Sequence, residues 1–159
     1  MDQEALDAID VRILEEIQND SGLTNVELAS RVNLSPSPCL ARVRRLEKAG
    51  IIERRVTLLN PLALGLGLSV FIQIRLEKQI ESALSNFQDA IQDLDEVMEC
   101  HLMTGDADYL LRVVVRDIQD LQALIIKKLS CIEGVSNIRS SFSLKQIKYK
   151  TSLPVRATR

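Results

Sequence analysis

The segment Thr24–Arg45 is the part of the sequence that most restricts the possible fold. Thr24 and Glu27 have the spacing of a capping box, which predicts that a helix begins directly after Thr24. A short turn follows, and then Ser35 and Pro36, an N-cap residue and a proline suited to the first turn of another helix. Two compact helices joined by so short a turn predict a helix-turn-helix.

The predicted third helix, which ends near Gly50, is basic on its exposed side. Between Arg31 and Val56 the chain has seven basic and two acidic residues, a local charge of +5 in a chain of formal net charge −2. Such a patch on a weakly acidic protein suits local attraction of DNA phosphates. Small residues at the start of the helix can enter the major groove, and arginines can pair with guanine or phosphate. The predicted inward residues are Leu40, Val43 and Leu46, and the predicted DNA contacts are Ser37, Pro38, Arg42, Arg44 and Arg45.

A hydrophobic helix precedes this segment and a short alternating stretch follows it. Apolar residues recur at helical spacing over Ala5–Ile17, which predicts a first helix. Residues Ile51–Leu59 alternate enough to predict a short strand pair, which would make the helix-turn-helix winged. Asn60-Pro61 then begins a linker. We therefore expect a DNA-binding domain over residues 1–59 and a linker over 60–67.

The remaining residues, 68–159, alternate between strand and helix patterns. The predicted elements are strands over Leu68–Leu76, Val97–Met103 and Tyr109–Val115, a fourth strand within Ile138–Tyr149, and helices over Ile80–Leu94 and Asp117–Cys131. This order, βαββαβ, predicts an α+β domain of ferredoxin-like fold. One face of its sheet carries both helices, and the other face needs a cover. A second copy of the domain is the expected cover, so we expect at least a dimer.

The turn between the second and third predicted strands, Thr104–Asp108, combines a glycine with two carboxylates. Free backbone N–H groups can bind a carboxylate and the aspartates can accept from an ammonium, and an α-amino acid needs both. Leu102 and Met103 precede the turn and can supply an apolar wall. A tight turn alone would also explain the composition, because glycine and aspartate are favoured turn residues. Taken alone, these residues leave both interpretations open.

Composition disfavours several other classes of protein. No apolar run reaches the roughly 18 residues that span a bilayer, and the first residues lack a signal-peptide pattern, so we expect a cytoplasmic protein. Three widely spaced cysteines and one histidine predict neither a disulfide framework nor a metal site, and we expect no cofactor. Two alternatives stay open: an enzyme of ferredoxin-like type that uses His101, and a metabolite-sensing module that acts on a protein partner.

Five stretches of the sequence resemble one known family. They are IDVRILEEIQND, TNVELASRVNLSPSPCLARVRRLEKAGII, the linker LLNP, ECHLMTGDADYLLRV and IEGVSNIRS. Through them the chain resembles the Lrp/AsnC (feast/famine) regulators of bacteria and archaea over nearly its whole length. Within that family it looks most similar to the leucine-responsive regulators.

This resemblance implies a transcriptional regulator, not an enzyme, whose N-terminal domain binds double-stranded DNA. It implies homodimers that assemble further, commonly into octamers. It also implies an amino-acid effector, leucine or methionine by our expectation, bound between dimers and changing assembly or DNA affinity. The implied effector residues are Thr104, Gly105, Asp106, Asp108 and Tyr109 at the turn, with Ser140 and Ser141 from the neighbouring subunit. We add Leu102 to this set as the expected apolar wall.

Overall fold

The computed structural model describes residues 5–157, which separate into two compact units. The first unit contains the chain up to Leu58 together with the residues from Lys148 onward, and the second contains Leu59–Ile147. The chain therefore leaves the first unit, forms the second and returns to the first. The sequence-based boundaries placed 68–159 in one domain, whereas the last described residues group with the first unit.

The helix-turn-helix consists of α1 (Ala8–Asn19), α2 (Asn25–Arg31) and α3 (Pro36–Lys48). The predicted capping box of α2 is confirmed, because Thr24 Oγ1 accepts the Glu27 N–H at 3.3 Å and the Glu27 carboxylate accepts the Thr24 N–H at 2.8 Å. Ser35 stands at the N-cap of α3 but its side chain caps no amide, contrary to expectation. The third residue of that helix is Pro38, which has no N–H to donate.

The inward stripe of α3 differs by one residue from the prediction. Cys39, Val43 and Leu46 are buried, whereas Leu40 is 36% exposed. These three buried positions follow the spacing i, i+4, i+7 that keeps side chains on one helix face, and Leu40 lies off that face. The small cysteine therefore occupies the place expected for a leucine. The stripe packs in one core with Ile13, Leu14, Leu28, Ala29 and Val32.

The predicted strand pair over Ile51–Leu59 does not form. The amides of Ile51 and Ile52 both donate to the Leu46 carbonyl, at 3.0 and 3.2 Å, and so complete the end of α3. Residues 53–60 are exposed and adopt no strand. A strand pair needs backbone partners on a neighbouring segment, and the described part of the chain offers this stretch none.

The second unit is a four-stranded antiparallel sheet of order β2-β3-β1-β4, with the sequence order βαββαβ predicted for a ferredoxin-like fold. Its elements are β1 (Leu68–Leu76), α4 (Glu81–Gln92), β2 (Val97–Leu102), β3 (Tyr109–Val115), α5 (Ile118–Lys127) and β4 (Val135–Phe142), with 3-10 turns at Leu62–Leu64 and Leu129–Cys131. Strand β4 lies earlier than the predicted Ile138–Tyr149. Gly134, at φ +89°, completes the preceding turn, and Val135 enters the sheet directly after it.

The two faces of this sheet are unlike each other. Alternate residues of β1 and β3 are buried beneath α4 and α5 in one hydrophobic core that includes Phe87, Ile91, Leu121 and Leu124. The opposite face carries Phe71, Gln73 and Arg75 of β1, all exposed, and no described helix packs on it. Among residues 5–157 no helix is both long and apolar enough to traverse a bilayer.

Candidate DNA interface and ligand site

The exposed face of α3 is a single stripe that runs the length of the helix. Ser37, Ala41, Arg44 and Lys48 recur at i, i+4, i+7 and i+11, opposite the buried stripe, and all four are exposed. Pro38 is exposed as well. Small residues therefore occupy the start of the face, and cations its middle and end. Arg44 has no ion-pair or hydrogen-bond partner among the described residues, so its guanidinium is available to an external anion.

The other two predicted DNA-contact arginines lie on the flank of α3 that faces α1. Arg42 Nη1 donates to Asp7 at 2.6 Å and to Asp10 at 2.8 Å, and Arg45 Nη2 donates to Asp10 at 2.5 Å. Asp10 is only 1% exposed. Sequence patterning could not show this cluster, because its aspartates and its arginines are 32 to 38 positions apart along the chain.

The electrostatics of this cluster favour its charged form. Burial opposes ionisation of Asp10, but hydrogen bonds from Arg45 and Arg42 outweigh burial and hold its pKa below the ordinary aspartate value. The carboxylates of Asp7 and Asp10 in turn raise the pKa of Arg42. Asp7 and Asp10 also cap α1 reciprocally, since each side chain accepts a backbone N–H of the other residue. The cluster thus joins the start of α1 to the middle of α3.

The predicted ligand turn connects β2 and β3 in the second unit. The Met103 N–H donates to the Asp108 carbonyl at 2.8 Å and closes the turn. Gly105 has φ +118°, a conformation that a side-chain-bearing residue rarely adopts. Thr104, Gly105 and Asp106 are exposed, and Leu102 is 62% exposed. These four predicted effector residues are therefore accessible to a ligand.

Asp108 differs from these exposed turn residues, because its carboxylate points into the protein. It is 5% exposed, its Oδ2 accepts the Leu76 N–H at 2.7 Å, and its Oδ1 accepts from Gln79 Nε2 at 2.5 Å. Its own N–H donates to the Ile74 carbonyl at 2.9 Å. The side chain thus fixes the turn to the end of β1, and both of its oxygens accept hydrogen bonds within the chain.

Tyr109 belongs to the hydrophobic core. It is 1% exposed and stacks on Phe87 with ring centroids 4.5 Å apart. Its hydroxyl accepts from Gln88 Nε2 at 3.0 Å and donates to the Leu84 carbonyl at 3.5 Å, and burial raises its pKa. The ring consequently anchors the start of β3 beneath α4.

An open cavity of about 610 Å³ lies beside the turn, between the ends of β1 and β4. Asp106 lines it from the turn, and Arg75 lines it from β1 together with Arg139 from β4. None of these three charged side chains has an ion-pair partner among the described residues. The remaining lining residues are Gln73, Ile74, Ala107, Ser136 and Asn137. One wall of this concavity therefore supplies a carboxylate and another supplies guanidinium groups.

Within this chain, the two predicted serines of β4 do not line the cavity. Ser140 is paired with Ile72 and shares the helix-covered face, and Ser141 is paired with Phe71 on the open face. The β4 residues that do line the cavity are Ser136, Asn137 and Arg139. Sequence reasoning missed them and Arg75. The alternation of polar side chains along SNIRSS was the only signal, and it became informative only with the register of β4.

A histidine acid–base group, a reactive cysteine and a metal site would each indicate another kind of chemistry in the described residues. His101 is exposed on β2, with Nε2 3.4 Å from a Glu99 oxygen, so it is no buried acid–base group. Burial raises the pKa of the Cys39 thiol, which disfavours the reactive thiolate. No three histidine, cysteine or acidic side chains of residues 5–157 are placed to hold a metal ion.

The first unit is a helix-turn-helix with a cationic exposed stripe, and the second is a ferredoxin-like unit with a cavity lined by acidic and basic side chains. Together these features define the class of ligand-responsive DNA-binding regulators. Comparison with known families agrees. Residues 6–53 match the family model for a winged helix-turn-helix DNA-binding domain, and residues 69–153 match that for the Lrp/AsnC ligand-binding domain. The chain belongs to the Lrp/AsnC family of transcriptional regulators.

Individual relatives show how far the similarity extends. The chain is 42% identical over 151 residues to the leucine-responsive regulatory protein of Escherichia coli (strain K12), covering 95% of this chain and 92% of the relative. A crystal structure of a transcriptional regulator from Neisseria meningitidis in complex with L-Met has a TM-score of 0.90 and 41% identity, covering 94% of this chain and 96% of that one. An AsnC family regulator from Agrobacterium tumefaciens has a TM-score of 0.88 and 40% identity, covering 94% and 97%.

Proposed function

We propose that this regulator binds specific double-stranded DNA through α3, and that a small amino acid bound beside the β2–β3 turn changes its assembly or its DNA affinity. Leucine and methionine are the proposed effectors. The proposed site of action is the cytoplasm, because the DNA partner lies there. The observation that carries this proposal is the cavity beside Asp106, in which Arg75 and Arg139 have no ion-pair partner among residues 5–157.

The chemistry of that cavity suits an α-amino acid. A guanidinium can hold a carboxylate by two parallel hydrogen bonds, which favours Arg75 or Arg139 for the carboxylate end. Asp106 can accept from the ammonium, and the neighbouring turn leaves Leu102 and Met103 exposed to contact an apolar side chain. The regulator from Neisseria meningitidis is known as a complex with L-Met, and the relatives from enteric bacteria are named leucine-responsive. These two names support methionine and leucine as the first ligands to test.

The assembly part of the proposal rests on the open face of the sheet. Phe71 is 38% exposed there, on a β-sheet whose other face is buried beneath α4 and α5 at β1 and β3. A second sheet packed on this face would give the dimer, and dimers would associate further into a proposed octamer. In such an assembly Ser140 and Ser141 would contribute to the effector site of a neighbouring subunit, as the family resemblance implies.

Isothermal titration calorimetry with each of the twenty amino acids tests the effector assignment. We expect heat of binding with leucine or methionine, and its loss in Asp106→Ala and Arg139→Gln. Arg116→Gln is a matched control, because that exposed arginine pairs with Asp120 away from the cavity. Wild-type affinity in both cavity variants would contradict the site. Light scattering, with and without the ligand that binds, measures the proposed change in assembly.

A second candidate function, a metabolite-sensing module that acts on a protein partner, would not need the cationic stripe of α3. Selection of bound duplexes from a random-sequence DNA library separates the two functions. Enrichment of a defined sequence motif supports DNA recognition. Absence of any enriched motif at low salt, from a protein that still binds its amino acid, would favour the protein-partner function.

A further inference from the structure

The cluster formed by Asp7, Asp10, Arg42 and Arg45 joins α1 to α3. It lies beside the exposed stripe of α3 and shares no residue with it. Among the described residues, three ion pairs with N···O distances of 2.5 to 2.8 Å link its two carboxylates to its two guanidinium groups. Their charges cancel, so the cluster adds little to the positive field that α3 presents. That field comes from the residues outside the cluster, Arg44 and Lys48.

Arg42 and Arg45 are poorly placed to leave this cluster for DNA. The Asp10 carboxylate that they share is 1% exposed, and withdrawing both arginines would leave it buried and ionised, with the Asp7 N–H as a donor but no cationic partner among the described residues. Such an uncompensated buried charge is strongly unfavourable. Arg44 has no ion-pair or hydrogen-bond partner among the described residues. Its side chain can therefore change conformation at little cost in free energy.

We infer that Arg42 and Arg45 are positioning residues, which hold α3 in register with α1 through Asp10, and that Arg44 and Lys48 supply the DNA contacts of the helix. This inference rests on the proposed DNA-binding function and divides the predicted contact set between two roles. It also makes Asp10, an acidic residue, a determinant of DNA affinity. The orientation of α3 relative to the rest of the helix-turn-helix decides which side chains reach the bases.

The substitution Asp10→Asn gives opposite results for the two possible roles of the arginines. If Asp10 positions α3 through them, the variant binds DNA more weakly, by about tenfold, within the range for loss of one base contact. If the arginines are themselves DNA contacts that Asp10 restrains, the same variant frees two cations and binds DNA more tightly. The assay is fluorescence anisotropy with a duplex that the wild-type protein selected from a random library, and with a scrambled duplex of equal composition.

The salt dependence of binding gives a second measurement that does not depend on Asp10→Asn folding. Removing a phosphate contact lowers the slope of log K against log salt by about 0.9. Arg44→Gln and Lys48→Gln are expected to lower the slope, or, where the side chain contacts a base, to relax sequence preference. Arg42→Gln and Arg45→Gln are expected to keep the slope while weakening discrimination between the selected and scrambled duplexes. Arg45→Lys, which retains the charge, is expected to restore part of that discrimination.

These results separate this inference from the proposed function. A wild-type protein that selects no duplex contradicts DNA binding itself. Tighter binding by Asp10→Asn, or a slope lowered by Arg42→Gln and Arg45→Gln as much as by Arg44→Gln, overturns the positioning role while DNA binding stands. Unchanged affinity and discrimination in a folded Asp10→Asn protein also overturn it, because a purely stabilising cluster would behave in that way. Circular dichroism spectra of each variant at the assay temperature establish folding.

Discussion

Asp108 offers the sharpest test of how the turn is built, because the structure gives its carboxylate an inward role. Asp108→Ala removes the acceptor of the Leu76 N–H, at 2.7 Å, and of Gln79 Nε2, at 2.5 Å. Leu76 is itself 5% exposed, so its amide would remain buried without a partner. The substitution therefore removes the hydrogen bonds that hold the turn against the end of β1, at one end of the candidate cavity.

The expected magnitude follows from these two bonds. A hydrogen bond to a charged group contributes about 1.5 to 3 kcal/mol, and an orphaned buried amide costs about 1 to 3 kcal/mol. Because the two figures describe overlapping losses, we expect the free energy of unfolding of the second unit to fall by about 3 kcal/mol. For a unit of this size, that corresponds to a melting temperature lower by roughly 10 to 20 °C.

Urea unfolding followed by circular dichroism measures this loss, and the near-ultraviolet signal of the buried Tyr109 reports the second unit. Asp106→Ala is the matched control, since its carboxylate is exposed and has no partner among the described residues. The control is expected to keep its stability and lose amino-acid binding. Asp108→Asn, which retains an acceptor for the Leu76 amide, is expected to fall between the two. An Asp108→Ala protein with wild-type stability and no amino-acid binding would refute the inward role and make Asp108 a ligand contact.

Two further predictions concern the first unit. Since the pKa of Asp10 is lowered on folding, its contribution to stability is full above the ordinary aspartate pKa of 3.8 and is lost as pH falls through the lower folded pKa. Thermal melts at decreasing pH are therefore expected to show a steeper loss of melting temperature for the wild type than for Asp10→Asn. Parallel curves for the two proteins would contradict this. The C-terminal segment is held by Gln18, whose Oε1 accepts the Leu153 N–H at 2.6 Å and whose Nε2 donates to its carbonyl at 3.1 Å. Gln18→Ala is expected to cost about 1 kcal/mol and to abolish hydrogen-exchange protection of the Leu153 amide, whereas Glu15→Ala on the same helix leaves both unchanged.

The elements that could be predicted from the sequence are those whose burial pattern lies within the element itself. Strands β1 and β3 have the predicted bounds, because burial alternates strictly from Val70 onward in β1 and over the whole length of β3. The capping box of α2 was equally local, since Thr24 and Glu27 are three residues apart. Strand β4 was displaced because its burial alternates weakly at one edge of the sheet, and only its pairing with β1 fixes its start.

The orientation of side chains in the turn could not be predicted, for a physical reason. Asp106 and Asp108 are both favoured turn residues, and nothing in their spacing shows which carboxylate points outward. The difference arises from the end of β1, where the Leu76 amide would otherwise lack a partner inside the protein. One aspartate therefore satisfies the backbone, and the other remains available to a ligand.

The arginines show the same distinction at both candidate sites. Arg42 and Arg45 were predicted as contacts because they lie on a basic helix, yet each is paired with Asp10, which faces α3 from another helix. Arg75 and Arg139 were not singled out, because they lie in strands of ordinary composition, yet neither has an acidic partner among the described residues. A paired guanidinium is already neutralised and costs free energy to release, whereas an unpaired one at a cavity gains free energy from an anionic ligand. The tertiary placement of carboxylates, which the sequence does not show, therefore determines which arginines already have an acidic partner in the folded chain.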